Sequence, residues 1–176
     1  MAAPFQHCYV IGLRDELLGL TTFLDVLHRC SRRVPPVTIE TTWRGAFTSQ
    51  EVNLLHAEAF GTRVFDVWEW DWRHLVEAHS LGWVTARATV HARETAELVG
   101  FVNVVWDGLV HAWIQDLMVA TVARHQGAGQ QLVQAAADGA REARCQWLHV
   151  DFEDDLRPFY FDACGFISTN AGLLRL

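Results

Sequence analysis

An α/β fold, with a mixed, largely antiparallel sheet and helices on both faces, is what this chain predicts, and three observations carry that expectation. Apolar alternation marks strands at VTIETTW, GWVTARATV and ELVGFVNVVW. Asp107-Gly108, a type I′ turn signal between two apolar runs, predicts an antiparallel hairpin in WDGLVHAWIQDLMVA. An alanine-rich helix over 127–143, with Leu132, Ala136, Ala140 and Ala143 on one face, separates that hairpin from the buried strand QWLHVDF.

Leu17, Leu20, Leu24 and Leu27 recur at helical steps and predict an amphipathic helix over 14–29, which SRRVPPV ends. Pro35 and Pro36 make a linker, so residues 1–35 are expected to form a helical extension and 36–176 the folded domain. The extension reads equally as an appendage, as a helix that pairs two copies into a homodimer, or as the product of an upstream start codon. After VTIETTW, helices are expected over 49–59 and 67–79, the second from VWEWDWRHLVEAHS. Beyond QWLHVDF, DDLRPFYFDAC predicts a short helix and GFISTNAGLLRL a terminal strand or strand pair.

Composition narrows the chemistry. The chain has 176 residues, 51% hydrophobic and 20% charged, enough for one ordinary core. All 14 basic residues are arginine, which excludes a lysine base, a Schiff base and a P-loop lysine. A net charge of −7 argues against nucleic-acid or anionic-membrane partners and suits small cationic ones. Cys8, Cys30, Cys145 and Cys164 show no CxxC spacing and are expected to be reduced, in a cytoplasmic protein. No run approaches the roughly 18 apolar residues of a membrane span, and the N-terminus has no basic leader. Nine histidines without HExxH or Cys/His ligand spacing give no reason to expect a metal.

RHQGAGQQL, residues 124–132, sets two glycines before the helix that starts near Gln130. Unpaired amides and the positive dipole end of a helix favour a diphosphate there, and glycine keeps Cβ atoms out of its way. Two rival cradles fail on identity: the dinucleotide fingerprint needs glycine where Leu132 stands, and a Walker loop needs lysine where Gln130 stands. What remains is an apolar strand ending at Val119, then Arg124-x-x-Gly127-x-Gly129, then an alanine-rich helix. This resembles the acetyl-CoA signature of the GNAT superfamily of N-acetyltransferases, with Thr121 where that family often has proline. WLHVDF is similar to its fifth strand, and LRPFYFDACGF to its helix ending in Gly-Phe before the last strands.

The resemblance implies a GNAT-like fold over 37–176 and acetyl-CoA as co-substrate, with no metal. It implies that the backbones of Leu117, Met118 and Val119 meet the pantetheine arm, while the amides of Arg124, His125, Gln126, Gly127, Ala128 and Gly129 hold the diphosphate. A branched residue at Gly127 or Gly129 is then expected to abolish coenzyme binding and leave the fold intact. It implies direct attack by an amine, with a helix tyrosine serving the departing thiol. Here Phe159-Tyr160 is followed by four residues before Gly165-Phe166, where the family pattern has three. Either a bulge absorbs the extra residue and Tyr160 still serves, or Phe161 takes its place and no protein acid is supplied.

For the base, Asp116 stands first, on the strand leading into the cofactor site; Glu153, Asp154 and Asp155, after the fifth strand, are the alternatives. His111 and His149 lie on strands near the cleft and read more simply as core histidines. Family position also implies an acceptor wall at Trp68, Glu69 and Trp72, where aromatics and a carboxylate suit an ammonium, with Trp113 lining the cleft. On a helix, Trp68 and Trp72 share a face and Glu69 pairs with Arg73; the plainer reading of that stretch is core packing plus a solvated face. The expected activity is acetyl transfer from acetyl-CoA to a primary amine of a small molecule, such as an aminoglycoside-like or polyamine compound, with protein amines as other acceptors. Two other readings remain at this stage: an acetyl-CoA-binding sensor without turnover, and a cofactor-free interaction protein that uses the N-terminal helix.

Overall fold

A computed structural model describes residues 38–88 and 96–176. The expected helix over 14–29, the proline linker, Cys8 and Cys30 lie outside the described residues. The order is β1 (Ile39–Trp43), α1 (Ser49–Phe60), α2 (Trp72–His79), β2 (Ser80–Ala88), β3 (Glu97–Trp106), β4 (His111–Val119), α3 (Ala128–Glu142) and β5 (Trp147–Val150). One sheet runs β1-β2-β3-β4-β5, antiparallel except for the parallel β4–β5 pair. That exception goes with α3, which returns the chain so that β5 runs in the direction of β4; a parallel pair cannot be joined by a tight turn.

Adjacent β3 residues show how the layers form. Side chains alternate along a strand: Phe101 packs edge-on against Trp72 of α2, ring centroids 5.8 Å apart, while its neighbour Gly100 lies beneath Leu132 of α3. The two faces thus carry different helices, and α3 crosses β1 to β4 on its side. The indole of Trp43 lies between Gly82 and Gly139, where an added Cβ on Gly139 would come within 2.5 Å of the ring. The glycine in mid-helix therefore sets how closely α3 approaches the sheet. Val84, Val102, Val104, Ile114 and Met118 are wholly buried at the centre.

Helix α1 begins at a capping box, in which the Thr48 hydroxyl accepts from the Glu51 amide and the Glu51 carboxylate accepts from the Thr48 amide. Arg87 of β2 donates to the same carboxylate at 2.9 Å, pinning the helix start to the sheet. Helix α2 is shorter than the expected 67–79. Asp71 caps it by accepting from the amides of Arg73 and His74, and residues 67–69 form a turn ahead of it. The hairpin is present, but as a four-residue loop between Trp106 and His111 rather than a type I′ turn. Gly108 has positive φ and Asp107 does not; the Asp107 carboxylate instead closes the loop by accepting from the amides of Leu109 and His111. The terminal strand expected in 165–176 does not form, since that stretch has no regular secondary structure.

Candidate active site

The parallel ladder between β4 and β5 ends at Ile114↔Val150. Beyond it β4 continues alone to Val119, and its pairing with β3 slips: Asn103 faces Gln115 and Phe101 faces Met118, so β4 carries one more residue than β3 across that span. The extra residue makes a bulge at Asp116, whose φ is +53°. Aspartate is among the few side chains that tolerate this left-handed backbone. Past the bulge, Leu117, Met118 and Val119 have no partner on β5, so the two strands part there.

Burial pushes the Asp116 carboxyl up to about 6, from an ordinary aspartate value near 4. Glu153, Asp154 and Asp155 are exposed beside β5, and Arg157 stands 3.5 Å from Asp154.

The loop after β4 is built to present its backbone. A single 3-10 turn, Thr121–Ala123, follows the strand, and the Arg124 side chain folds back so that its Nε donates to the Val119 carbonyl at 3.1 Å. Glu58 of α1 fixes the same loop by accepting from the Thr121 amide at 2.6 Å. His125 and Gly127 have φ of +58° and +83°, which reverses the chain into α3. Gly127 is the N-cap residue and makes no side-chain cap; the Gln131 amide is the first taken up inside the helix, by the Gly127 carbonyl at 3.0 Å. The amides ahead of it have no intrahelical acceptor and stand at the positive end of a fifteen-residue helix. The space above Gly127 is open: a Cβ at this position would meet nothing nearer than Gln131 Nε2, 3.8 Å away. At Gly129 the space is taken: a Cβ there would lie 3.1 Å from the Phe159 ring and 3.8 Å from Val119. Gly129 therefore makes room for a neighbouring side chain, so a branched residue at that position would disturb packing as well as any ligand.

Residues Pro158–Ala163 form a π-helical segment. Its wide turn is seen in the Cys164 amide, which donates five residues back to the Phe159 carbonyl, and in the Phe166 amide, which donates to Tyr160. The extra residue noted in the sequence is absorbed here. Three consecutive aromatics then point three ways. Phe159 reaches Gly129, Phe161 meets Phe152 edge-on beneath the Arg157 guanidinium, and Tyr160 is wholly buried. Tyr160 stacks on Phe152 at 4.6 Å and meets Phe159 and Phe166 edge-on. Its ring belongs to the core, and its hydroxyl is buried with it.

The expected acceptor wall is not brought together. Trp72 is fully buried, stacks on Trp70 and donates its Nε1–H to Asn53 at 2.8 Å, so it belongs to the core. Trp68 is 83% exposed in the turn ahead of α2. Glu69 is held by Arg63 at 2.6 and 2.9 Å, not by Arg73, which pairs with Glu77 instead. The hydrogen bonds from Arg63 pull its carboxyl down to about 2. Trp113 stacks on His149 at 4.9 Å, and His149 hydrogen-bonds His111 at 2.8 Å, making one cross-strand stack within the paired part of β4 and β5. Among the described residues, no group of three or more His, Cys, Asp or Glu is placed to hold a metal ion.

The sheet opens after one parallel pair, beside a helix start that has no side-chain cap, an arrangement that defines a class of coenzyme-dependent transferase folds. The model of the acetyltransferase (GNAT) family matches residues 47–166, and the chain belongs to that family, whose members take the acetyl group from acetyl-CoA. No curated protein matches it in sequence. Solved structures share the fold at low identity. An acetyltransferase of Trypanosoma brucei is 18% identical with a TM-score of 0.62, over 79% of this chain and 100% of that one. An aminoglycoside N-acetyltransferase solved with CoA is 15% identical with a TM-score of 0.61, over 80% and 95%. Glucosamine-6-phosphate N-acetyltransferase of Arabidopsis thaliana is 15% identical with a TM-score of 0.59, over 78% and 98%.

Proposed function

We propose that this enzyme acetylates a primary amine of a small molecule by direct attack on acetyl-CoA. The observation that supports the reading is the bulge at Asp116, a buried carboxyl with a pKa raised to about 6 on the strand that would carry the pantetheine arm. The Arg124 amide is taken by the Thr121 carbonyl at 3.3 Å, so the amides of 125–129 hold the diphosphate, and the β4 backbone at Leu117, Met118 and Val119 takes the pantetheine arm. Asp116 accepts a proton from the acceptor's ammonium, directly or through water; the amine attacks the carbonyl carbon, the C–N bond forms, and the C–S bond breaks. Overall an ammonium and a thioester give an amide, a thiol and one proton. The amino-sugar and aminoglycoside enzymes that share the fold, together with the net charge of −7, favour a cationic acceptor. Trp68 is the aromatic of the expected acceptor wall that stands exposed to meet it.

The test begins with the coenzyme alone. Acetyl-CoA at about a hundred times its Kd should stabilise the protein by roughly 2.7 kcal/mol, a rise in Tm of a few degrees. Thiol release is then followed across aminoglycosides, amino sugars and polyamines. Stabilisation without thiol release for any amine supports a coenzyme sensor, a reading favoured by the seclusion of Tyr160. No stabilisation at all overturns the proposal. Gly127→Asp isolates the cradle. Aspartate tolerates the left-handed backbone, finds open space and suits a helix start, so the apoprotein keeps its Tm. Its carboxylate repels the diphosphate, and acetyl-CoA should no longer stabilise the variant.

A further inference from the structure

We propose that Phe159, rather than Tyr160, is the residue of the π-helical segment against which the pantetheine arm of acetyl-CoA lies. This rests on the coenzyme reading above. Three observations converge on that ring. It is partly exposed, whereas Tyr160 on its C-terminal side is not exposed at all. It lies against the first turn of α3, so close to Gly129 that a methyl group there would sit 3.1 Å from Cζ, with Val119 of the expected pantetheine strand 3.8 Å from the same point. Gln130, next to Gly129, donates from Nε2 to the Ala163 carbonyl at 2.7 Å, locking the end of the segment to the helix that carries the cradle. Strand end, cradle helix and phenyl ring thus pack at one place, next to the stretch from the diphosphate site to Asp116 along which the arm would run.

The π turn is what selects this residue. With α-helical spacing the segment would set a side chain four residues before Gly165 in the facing position; the wide turn bonds Phe159 to Cys164 instead and rotates Tyr160 into the core against Phe152 and Phe166. The consequence is chemical. A phenyl ring has no proton to give. The electron pair of the breaking C–S bond therefore leaves on sulfur, and the thiolate is protonated by water. Of the two protons lost from the acceptor's nitrogen, one is balanced by that protonation and the other goes to solvent.

The experiment uses the full chain and measures acetyl-CoA Kd by calorimetry, thiol-release kinetics with an active amine, and the pH dependence of kcat. Phe159→Ala should weaken acetyl-CoA about tenfold, Phe159→Leu should recover most of that loss by restoring an apolar contact, and both should keep the Tm of the apoprotein within a few degrees. Tyr160→Phe should leave Kd and kcat within twofold and the alkaline side of the kcat profile unchanged. The proposal is overturned if Phe159→Ala binds as the unmodified protein does, or if Tyr160→Phe loses kcat and its alkaline limb. An unmodified protein that does not bind acetyl-CoA refutes the coenzyme reading itself, and this inference with it; normal binding with an insensitive Phe159 refutes this inference alone.

Discussion

At the scale of single residues, Asp116 joins two properties of which the sequence displays one. Its place on the strand into the cofactor site is legible beside Ile114 and Leu117. Its left-handed backbone is not, because a bulge depends on register with β3, which no local pattern encodes. The raised pKa gives a signed prediction. Asp116 becomes a base only as pH rises through about 6, so kcat/KM should climb over that range and then level. In Asp116→Asn, which keeps a side chain that tolerates positive φ, the climb should vanish and the plateau fall by about 10²-fold, the lower end of what general-base catalysis contributes. Stability moves the other way. The folded state holds this proton more tightly than the unfolded chain, so stability is lost as pH rises through about 6, and the asparagine variant should gain on the unmodified protein above that pH. A rate profile unchanged by the substitution removes Asp116 from the chemistry.

Elements show where local signals suffice and where they compete. Helix α1 is stated by its own residues: Thr48 and Glu51 stand at capping-box spacing, and the structure realises both hydrogen bonds. Thr48→Ala should cost about 1 kcal/mol, read as a lowered denaturant midpoint at unchanged slope, and more if the cap also holds Glu51 against Arg87. A shift within error would mean that the ion pair alone fixes the helix start. Helix α2 is harder to place because three tryptophans at alternate positions suit a turn, a helix or a strand. Asp71, the one N-cap residue in the stretch, marks where it begins, and the turn ahead of it is tied by amides of Glu69 and Trp70 to the Asp66 carbonyl. That start point separates Trp68 from Trp72, leaving one in solvent and the other in the core. The π segment is the reverse case. One residue too many is visible in the spacing before Gly165, but which aromatic faces the cradle depends on Phe152, Phe166 and Gly129, which no local pattern brings together.

For the whole molecule, the elements that build the site stand in one span. The splay point, the cradle, α3, β5 and the π segment all lie within residues 97–166, and the helices that close the other face lie within 49–79. The cofactor loop is legible because its function rests on the backbone, so that glycines and a helix start in sequence are also the site in space. The acceptor side is not, since it depends on which side chains the tertiary packing leaves exposed. The expected leucine face at 17, 20, 24 and 27 belongs to a segment joined to β1, which is the sheet edge opposite β5. A chain beginning at residue 38 should therefore keep the full rise in Tm with acetyl-CoA. If the N-terminal segment pairs two copies, native mass should fall from twice 19.9 kDa for the complete chain to a single truncated chain, with the coenzyme response unaltered. Loss of that response on truncation would show that the first 37 residues complete the coenzyme site, and the division of labour along the chain would have to be redrawn.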